Sequence, residues 1–265
     1  MHPGRDAGED VRFTLVGGGE ALDDDGLRRL YAYPDAADPD PPARHVLRGN
    51  AITSLDGGAT TGGTSGGLGG AGDRRLFAVL RELTDVIVVG AGTARAEGYR
   101  GARLSAAARQ RRRQRGQNEV PPIALVTRSG VLEHDLPVLA DSEVAPMVLT
   151  CSEAVDATRR RLGGAAEAID CSGADPTEVD LAVALRRVAE RGLTRALTEG
   201  GPSLLGSFVA RGLLDELCLT SAPVLVAGPA VRIAAGSEEV LSRMRRAHIM
   251  ADDDGYIYAR YVRER

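Results

Sequence analysis

Residues Arg195–Leu219, RALTEGGPSLLGSFVARGLLDELCL, decide the fold. Arg195–Thr198 reads as a short buried strand, Glu199-Gly200-Gly201 as a tight turn, Pro202 as the first residue of a helix, and Leu213–Leu219 as the next strand. Proline loses nothing at the first helical position, because its missing N–H would have had no intrahelical partner there. Two glycines ahead of it let a ligand approach the backbone, and the free amides and positive dipole end of the helix favour an anion. Gly200, Gly201, Pro202, Ser203 and Leu204 are therefore candidate contacts for a diphosphate. The same residues also fit a plain strand-to-helix turn, so other segments have to decide.

Working outward, strands and helices alternate from Arg44 onward. His45–Thr53, Asp85–Val89, Ile123–Thr127, Pro146–Thr150 and Ala166–Asp170 have strand character; Asp73–Leu83, Ser152–Leu162 and Pro176–Arg191 have helical spacing. Such alternation predicts an α/β fold with a mostly parallel central sheet covered by helices on both faces. Asp254-Gly255 between two apolar runs predicts a closing antiparallel hairpin. Residues 1–43 are acidic and proline-rich and read as an N-terminal extension lying against the main domain, with one short helix at Asp23–Tyr31 and disorder near both ends.

Composition excludes several chemistries. All 33 basic residues are arginine, and the absence of lysine removes Schiff-base, pyridoxal-phosphate and P-loop mechanisms. Arginine still grips phosphate with a bidentate fork. The three cysteines, Cys151, Cys171 and Cys218, lie in or beside apolar runs without C-x-x-C spacing and read as buried thiols; the four histidines lack metal-ligand spacing. A net charge of −4 gives no broad reason to bind nucleic acid or an anionic membrane. No stretch approaches the roughly 18 apolar residues of a spanning helix, and the N-terminus lacks the apolar core of a signal peptide, so a cytoplasmic location is expected.

Three further glycine-containing turns follow strand-like segments. Ser54–Gly70, SLDGGATTGGTSGGLGG, reads as a mobile loop over a ligand. Its Gly63–Gly67 matches G-x-S-x-G, but no strand ends at the first glycine and no helix follows the last, so the nucleophile-elbow reading fails. Gly90-Ala91-Gly92 starts like a dinucleotide fingerprint, yet Arg95 stands where the third glycine belongs. Thr127-Arg128-Ser129-Gly130 offers hydroxyls and a guanidinium suited to the extra phosphate of NADP, or to turn chemistry alone. The run Arg109–Arg115 holds five arginines, read as a solvated helix or loop or else as a contact to a ligand phosphate.

In this order, NAITSLDGG, LRELTDVIVVGAGTARAEG, LTEGGPSLLGSF and LLDELCLTSAPVLVAGPA resemble the reductase domain of riboflavin-biosynthesis proteins, the C-terminal half of the bifunctional pyrimidine deaminase-reductase. The resemblance spans roughly residues 44–265 and implies a dihydrofolate reductase-like fold, a homodimer, and NADPH-dependent reduction of 5-amino-6-(5-phosphoribosylamino)uracil to its ribitylamino product. Carried over residue by residue, it puts Thr93 and Glu97 at the nicotinamide nucleotide, Ser129 at the adenosine end, and Ser65, Arg81 and Glu199 at the substrate. Asp56, on the loop that borders the nicotinamide in this fold, and Glu199 are the expected catalytic carboxyl groups. The chain departs from the family at Arg95–Leu104, where the usual proline is absent and only Arg100 or Arg103 is placed to clamp a substrate phosphate. It also lacks the H-x-E and P-C-x-x-C of the deaminase zinc site. A pterin or dihydrofolate reductase-like enzyme and an NADP-binding sensor without turnover are the competing readings.

Overall fold

The structure is a computed structural model that describes residues 11–18, 21–34 and 45–264. It begins with β1 (Phe13–Leu15), β2 (Ala21–Leu22), α1 (Asp24–Leu30), β3 (Val46–Thr53), α2 (Ala71–Leu83), β4 (Val86–Gly90) and α3 (Ala91–Ala96). The middle of the chain forms α4 (Ala106–Gln114), β5 (Ile123–Val126), α5 (Pro137–Ala140), β6 (Met147–Thr150), α6 (Ser152–Leu162) and β7 (Glu167–Asp170). It ends with α7 (Leu181–Ala189), β8 (Arg195–Thr198), α8 (Pro202–Ala210), β9 (Glu216–Ser221), β10 (Met244–Asp252) and β11 (Ile257–Arg263).

All eleven strands share one sheet in the order β2-β1-β10-β11-β9-β3-β8-β4-β5-β6-β7. From β9 to β7 the neighbours run parallel; β11, β10, β1 and β2 continue the sheet antiparallel. The α/β class, the parallel centre and the C-terminal hairpin are those expected. Among the parallel strands, β4 (VIVVG) and β6 (MVLT) are short apolar runs buried almost throughout, as strands covered on both faces must be.

Two differences from the sequence reading have local causes. The α7 helix starts at Leu181 rather than Pro176, because the Asp180 side chain caps the amides of Ala182 and Val183. The strand expected from Leu213 starts at Glu216: the Leu213 amide donates back to the Phe208 carbonyl and ends α8. The closing segments lie inside the sheet: β9 lies between β3 and β11, and β10 between β11 and β1.

The arginine run forms α4 and is not simply solvated. Arg112 is fully buried and donates to the carbonyls of Glu82 (2.9 Å), Thr84 (2.5 Å) and Asn118 (2.7 Å), while Arg111 grips both oxygens of Glu82. The Arg112 guanidinium thereby satisfies carbonyls at the C-terminal end of α2 that have no intrahelical partner, while Arg111 neutralises the Glu82 carboxylate. Arg111 and Arg112 are thus committed within the protein.

All three cysteines are buried and free. The described part of the N-terminal extension contributes Phe13, Leu27 and Tyr31 to a core cluster with Leu76, Leu80 and Tyr258. The disorder expected near the ends of residues 1–43 concerns residues outside those described. Among the described residues, no helix is long and apolar enough to cross a membrane, and no cluster of side chains could hold a metal ion.

Candidate active site

The C-terminal ends of the central parallel strands open onto two adjoining spaces. One is a cavity of about 490 Å³ beneath the glycine-rich loop; the other is a groove of about 420 Å³ between α8 and the ends of β4 and β5. Thr93, Gly201 and Pro202 line both, so the two spaces meet where the β8–α8 turn faces the start of α3. Clefts at the carboxyl ends of strands are the usual ligand sites of open α/β sheets.

That junction is tightly built. The Gly201 amide donates to Thr93 Oγ1 at 3.0 Å, and a Cβ added at Gly201 would lie 2.1 Å from the same oxygen. The Gly200 carbonyl accepts from the Gly90 amide at 2.9 Å, and Gly200 has a φ of +81°, the left-handed region that glycine adopts without steric cost. The Gly200–Gly201 peptide bond is cis. Beyond it α8 starts at Pro202, and Ser203 and Leu204, which line the groove, carry first-turn N–H groups that no helical carbonyl can take. Across from them Gly92 lines the groove, and a Cβ there would meet nothing within 4 Å. Open space opposite a helix N-terminus fits a diphosphate group.

Inside the cavity, Arg81 of α2 and Glu199 form a bidentate pair, Nε to Oε1 and Nη2 to Oε2, both at 2.7 Å. The Tyr99 hydroxyl donates to Glu199 Oε2 at 2.5 Å, and the guanidinium lies 4.3 Å from the Phe77 ring centroid. Burial opposes the charge of Arg81, but Glu199 and Tyr99 more than offset it and hold its proton above the ordinary arginine value. For Tyr99, burial and then the negative charge of Glu199 push the phenol well above its usual range, so it stays a donor. Nearby, Glu97 Oε1 accepts from the Ser65 amide at 2.8 Å and so ties the glycine-rich loop to the end of α3.

All of the expected site residues line one of the two spaces except Asp56, Ser129 and the alternative phosphate clamp Arg103. The Ser129 hydroxyl accepts from the Val131 amide at 3.3 Å and closes its own turn. Asp56 is exposed; Ser54 Oγ and the amides of Val226 and Ala227 donate to its carboxylate, at 2.5, 3.1 and 2.8 Å, and hold it down at about 2. It fastens residues 226–227 and does not line the cavity.

Sequence reasoning missed Asp73, Tyr99 and Arg74, all of which line the cavity. Asp73 sits in the first turn of α2, half-buried, and burial raises its carboxyl above the ordinary range in spite of a hydrogen bond from Thr220 and the charge of Arg74. Of the two candidate phosphate clamps, Arg100 lines the cavity and Arg103 does not; both reach Asp141, at 2.8 Å each.

Two archaeal proteins, each named 2,5-diamino-6-ribosylamino-4(3H)-pyrimidinone 5′-phosphate reductase, are similar in sequence. That of Archaeoglobus fulgidus is 27% identical over 192 residues, 72% of this chain and 86% of that one. That of Methanothermobacter thermautotrophicus is 31% identical over 193 residues, 72% of this chain and 83% of its own length. Among solved structures, a pyrimidine reductase-like protein from Corynebacterium diphtheriae superposes with a TM-score of 0.75 at 27% identity, covering 90% of this chain and 98% of the other. The Thermotoga maritima deaminase/reductase shares the fold (TM-score 0.65, 17% identity); this chain covers 57% of it, and 83% of this chain is matched.

An α/β sheet with this closing hairpin, a two-part cleft at its strand ends and these relatives together define an oxidoreductase of the pyrimidine reductase type, in riboflavin biosynthesis. The chain belongs to the RibD C-terminal domain family, whose match runs over residues 45–258.

Proposed function

We propose that this chain reduces a phosphoribosylamino-pyrimidine to the corresponding ribitylamino compound, with NADPH as the reductant. The observation that carries the reading is the junction at Thr93, Gly201 and Pro202, where a groove suited to a diphosphate opens into a cavity large enough for a pyrimidine riboside phosphate. A dinucleotide lying over the first amides of α8, with its adenosine end toward Arg128, would direct its other end into the cavity. Held there by these residues, a nicotinamide would supply the hydride for the ribose carbon in its imine form.

The chain's own groups supply the rest. Arg81 and Glu199 lock each other, and Tyr99 takes part of the remaining acceptor capacity of Glu199; the three form a rigid wall that orients the substrate. With Glu199 engaged in this way and Asp56 outside the cavity, Asp73 is the carboxyl group we assign as the proton source: it lines the cavity and burial favours its protonated form. Arg74 and Arg100 add positive charge to the same cavity, which favours a phosphorylated substrate over a flat pterin ring. Exposed Leu55, Leu225 and Ile257, near the hairpin turn, are consistent with a homodimer, to be checked by light scattering, in a cytoplasmic enzyme.

The test is NADPH oxidation by the purified protein with 5-amino-6-(5-phosphoribosylamino)uracil, with the 2,5-diamino-pyrimidinone phosphate for which the archaeal relatives are named, and with dihydrofolate. Turnover of either pyrimidine but not dihydrofolate is the expected result. Turnover of dihydrofolate alone, or tight NADPH binding with no turnover of any of the three, overturns the reading.

A further inference from the structure

At the outer end of the groove, Thr127 and Arg128 leave β5 and face Glu178, in the turn before α7. Arg128 Nη1 donates to Glu178 Oε1 at 2.8 Å, and both side chains line the groove. The pair is largely exposed, 70% and 55%, so it contributes little to folding. Its turn is nevertheless braced. Asp175 Oδ1 accepts from the Thr177 amide at 2.8 Å and from the Thr177 hydroxyl at 2.7 Å, and the Pro176 carbonyl accepts from the Glu153 amide at 3.0 Å. Glu178 is therefore presented to the groove by a fixed turn. Opposite, α8 contributes Ser203 and Ser207, and its C-cap residue Arg211 lines the same groove.

We infer that Glu178 sets the coenzyme preference of this groove: its carboxylate occupies Arg128, the group placed to grip a 2′-phosphate, and so narrows the discrimination between NADPH and NADH. The inference rests on the proposal that the groove takes a nicotinamide dinucleotide. A 2′-phosphate draws its affinity from charge-assisted bonds to arginine, best in a bidentate geometry. Here it must displace or share a carboxylate that repels it. A ribose 2′-hydroxyl meets no such penalty and can donate to the same carboxylate, as the acidic residue of NAD-binding folds accepts one. Selectivity is a difference of two affinities, so one acidic side chain beside one arginine acts on both. Arg211, on the opposite wall, keeps the groove attractive to phosphate in either case.

The experiment is a calorimetric titration of wild-type protein, Glu178→Gln and Arg128→Gln with 2′,5′-ADP, 5′-AMP, NADPH and NADH, with no substrate present. Glu178→Gln is expected to tighten 2′,5′-ADP and NADPH by about fivefold, the scale of one exposed charge pair, and to leave 5′-AMP unchanged or weaker. Arg128→Gln is expected to remove the advantage of 2′,5′-ADP over 5′-AMP. Equal changes for both ligands in Glu178→Gln, or none, overturn the inference while leaving the nucleotide groove standing. If none of the four nucleotides binds the wild-type protein, the groove assignment fails and this inference fails with it. Both positions are exposed, so unaltered thermal midpoints confirm that folding plays no part in the comparison.

Discussion

Glu199 and Arg81 hold each other with two bonds in a site where Glu199 is 3% exposed and Arg81 18%. Removing one charge of such a pair strands the other, at a cost of about 3 kcal/mol. Glu199→Gln should show that loss in urea denaturation together with reduced kcat; full retention of stability would mean that the pair is not the wall described. Asp73 provides the converse case. Burial raises its carboxyl, so its favourable contribution exists at low pH and is lost as pH rises through the shifted value. Asp73→Asn should therefore be no less stable at neutral pH, yet lower kcat by about 10²-fold and remove the fall in rate on the alkaline side of the pH profile. Unchanged kcat in that variant would exclude Asp73 as the proton source. Asp56 differs again: held at about 2 by Ser54 and two amides, it is ionised at any working pH, and its anchoring of residues 226–227 is lost only as pH falls from the ordinary carboxylate range toward about 2. Asp56→Asn is expected to keep kcat within about threefold, because group replacements outside the reacting cavity remove no transition-state contact. Its two amide partners lie 170 and 171 positions away in the chain, which is why sequence could not separate an anchor from an acid. Asp73 escaped notice for a similar reason: an acid in the first turn of a helix is ordinary, and only the folded cavity shows what it faces.

The element that positions the nucleotide groove is α8 with the turn before it, and this much was legible from Glu199-Gly200-Gly201-Pro202 alone. A sharp turn, a proline at the first helical position and no side chain to block approach are local properties. Two glycine variants separate folding from binding there. At Gly92 an added Cβ meets no protein atom within 4 Å, and alanine is the better helix former, so Gly92→Ala should melt no lower than wild type while weakening NADPH. At Gly201 the added Cβ would lie 2.1 Å from Thr93 Oγ1, so Gly201→Ala should lose both stability and nucleotide affinity. If Gly92→Ala binds NADPH as tightly as wild type, the groove is not where the dinucleotide lies. Boundaries were harder to read than elements. Pro176–Asp180 has helical composition, but the Asp180 cap starts the helix only at Leu181, and capping depends on side-chain geometry that spacing does not display.

At the scale of the whole molecule, the alternation of strands and helices revealed the parallel half of the sheet and Asp254-Gly255 its closing hairpin, but not the N-terminal strands that pair with that hairpin. The family match begins at residue 45, and yet β1 pairs with β10, and Phe13, Leu27 and Tyr31 are 0% exposed. No local pattern announces this, because β1 and β2 together are five residues and gain their strand character only from β10. The strap is also tied electrostatically. Fully buried Arg48 donates to the Tyr31 carbonyl at 2.7 Å, Arg260 donates to the Leu30 carbonyl at 2.8 Å, and both guanidiniums share Glu216. Deleting residues 1–34 removes three buried side chains worth about 2 kcal/mol each and takes acceptors from buried Arg48 and partly buried Arg260. It also leaves β10 as a bare edge, open to pairing with other copies. Against a total stability of about 5–15 kcal/mol these losses are decisive. The 35–265 fragment is therefore expected to aggregate or to lack a cooperative melting transition, read by calorimetry and size-exclusion chromatography. A fragment that stays monodisperse and melts within a few degrees of the full chain would show that the first strands merely lean on a domain complete without them.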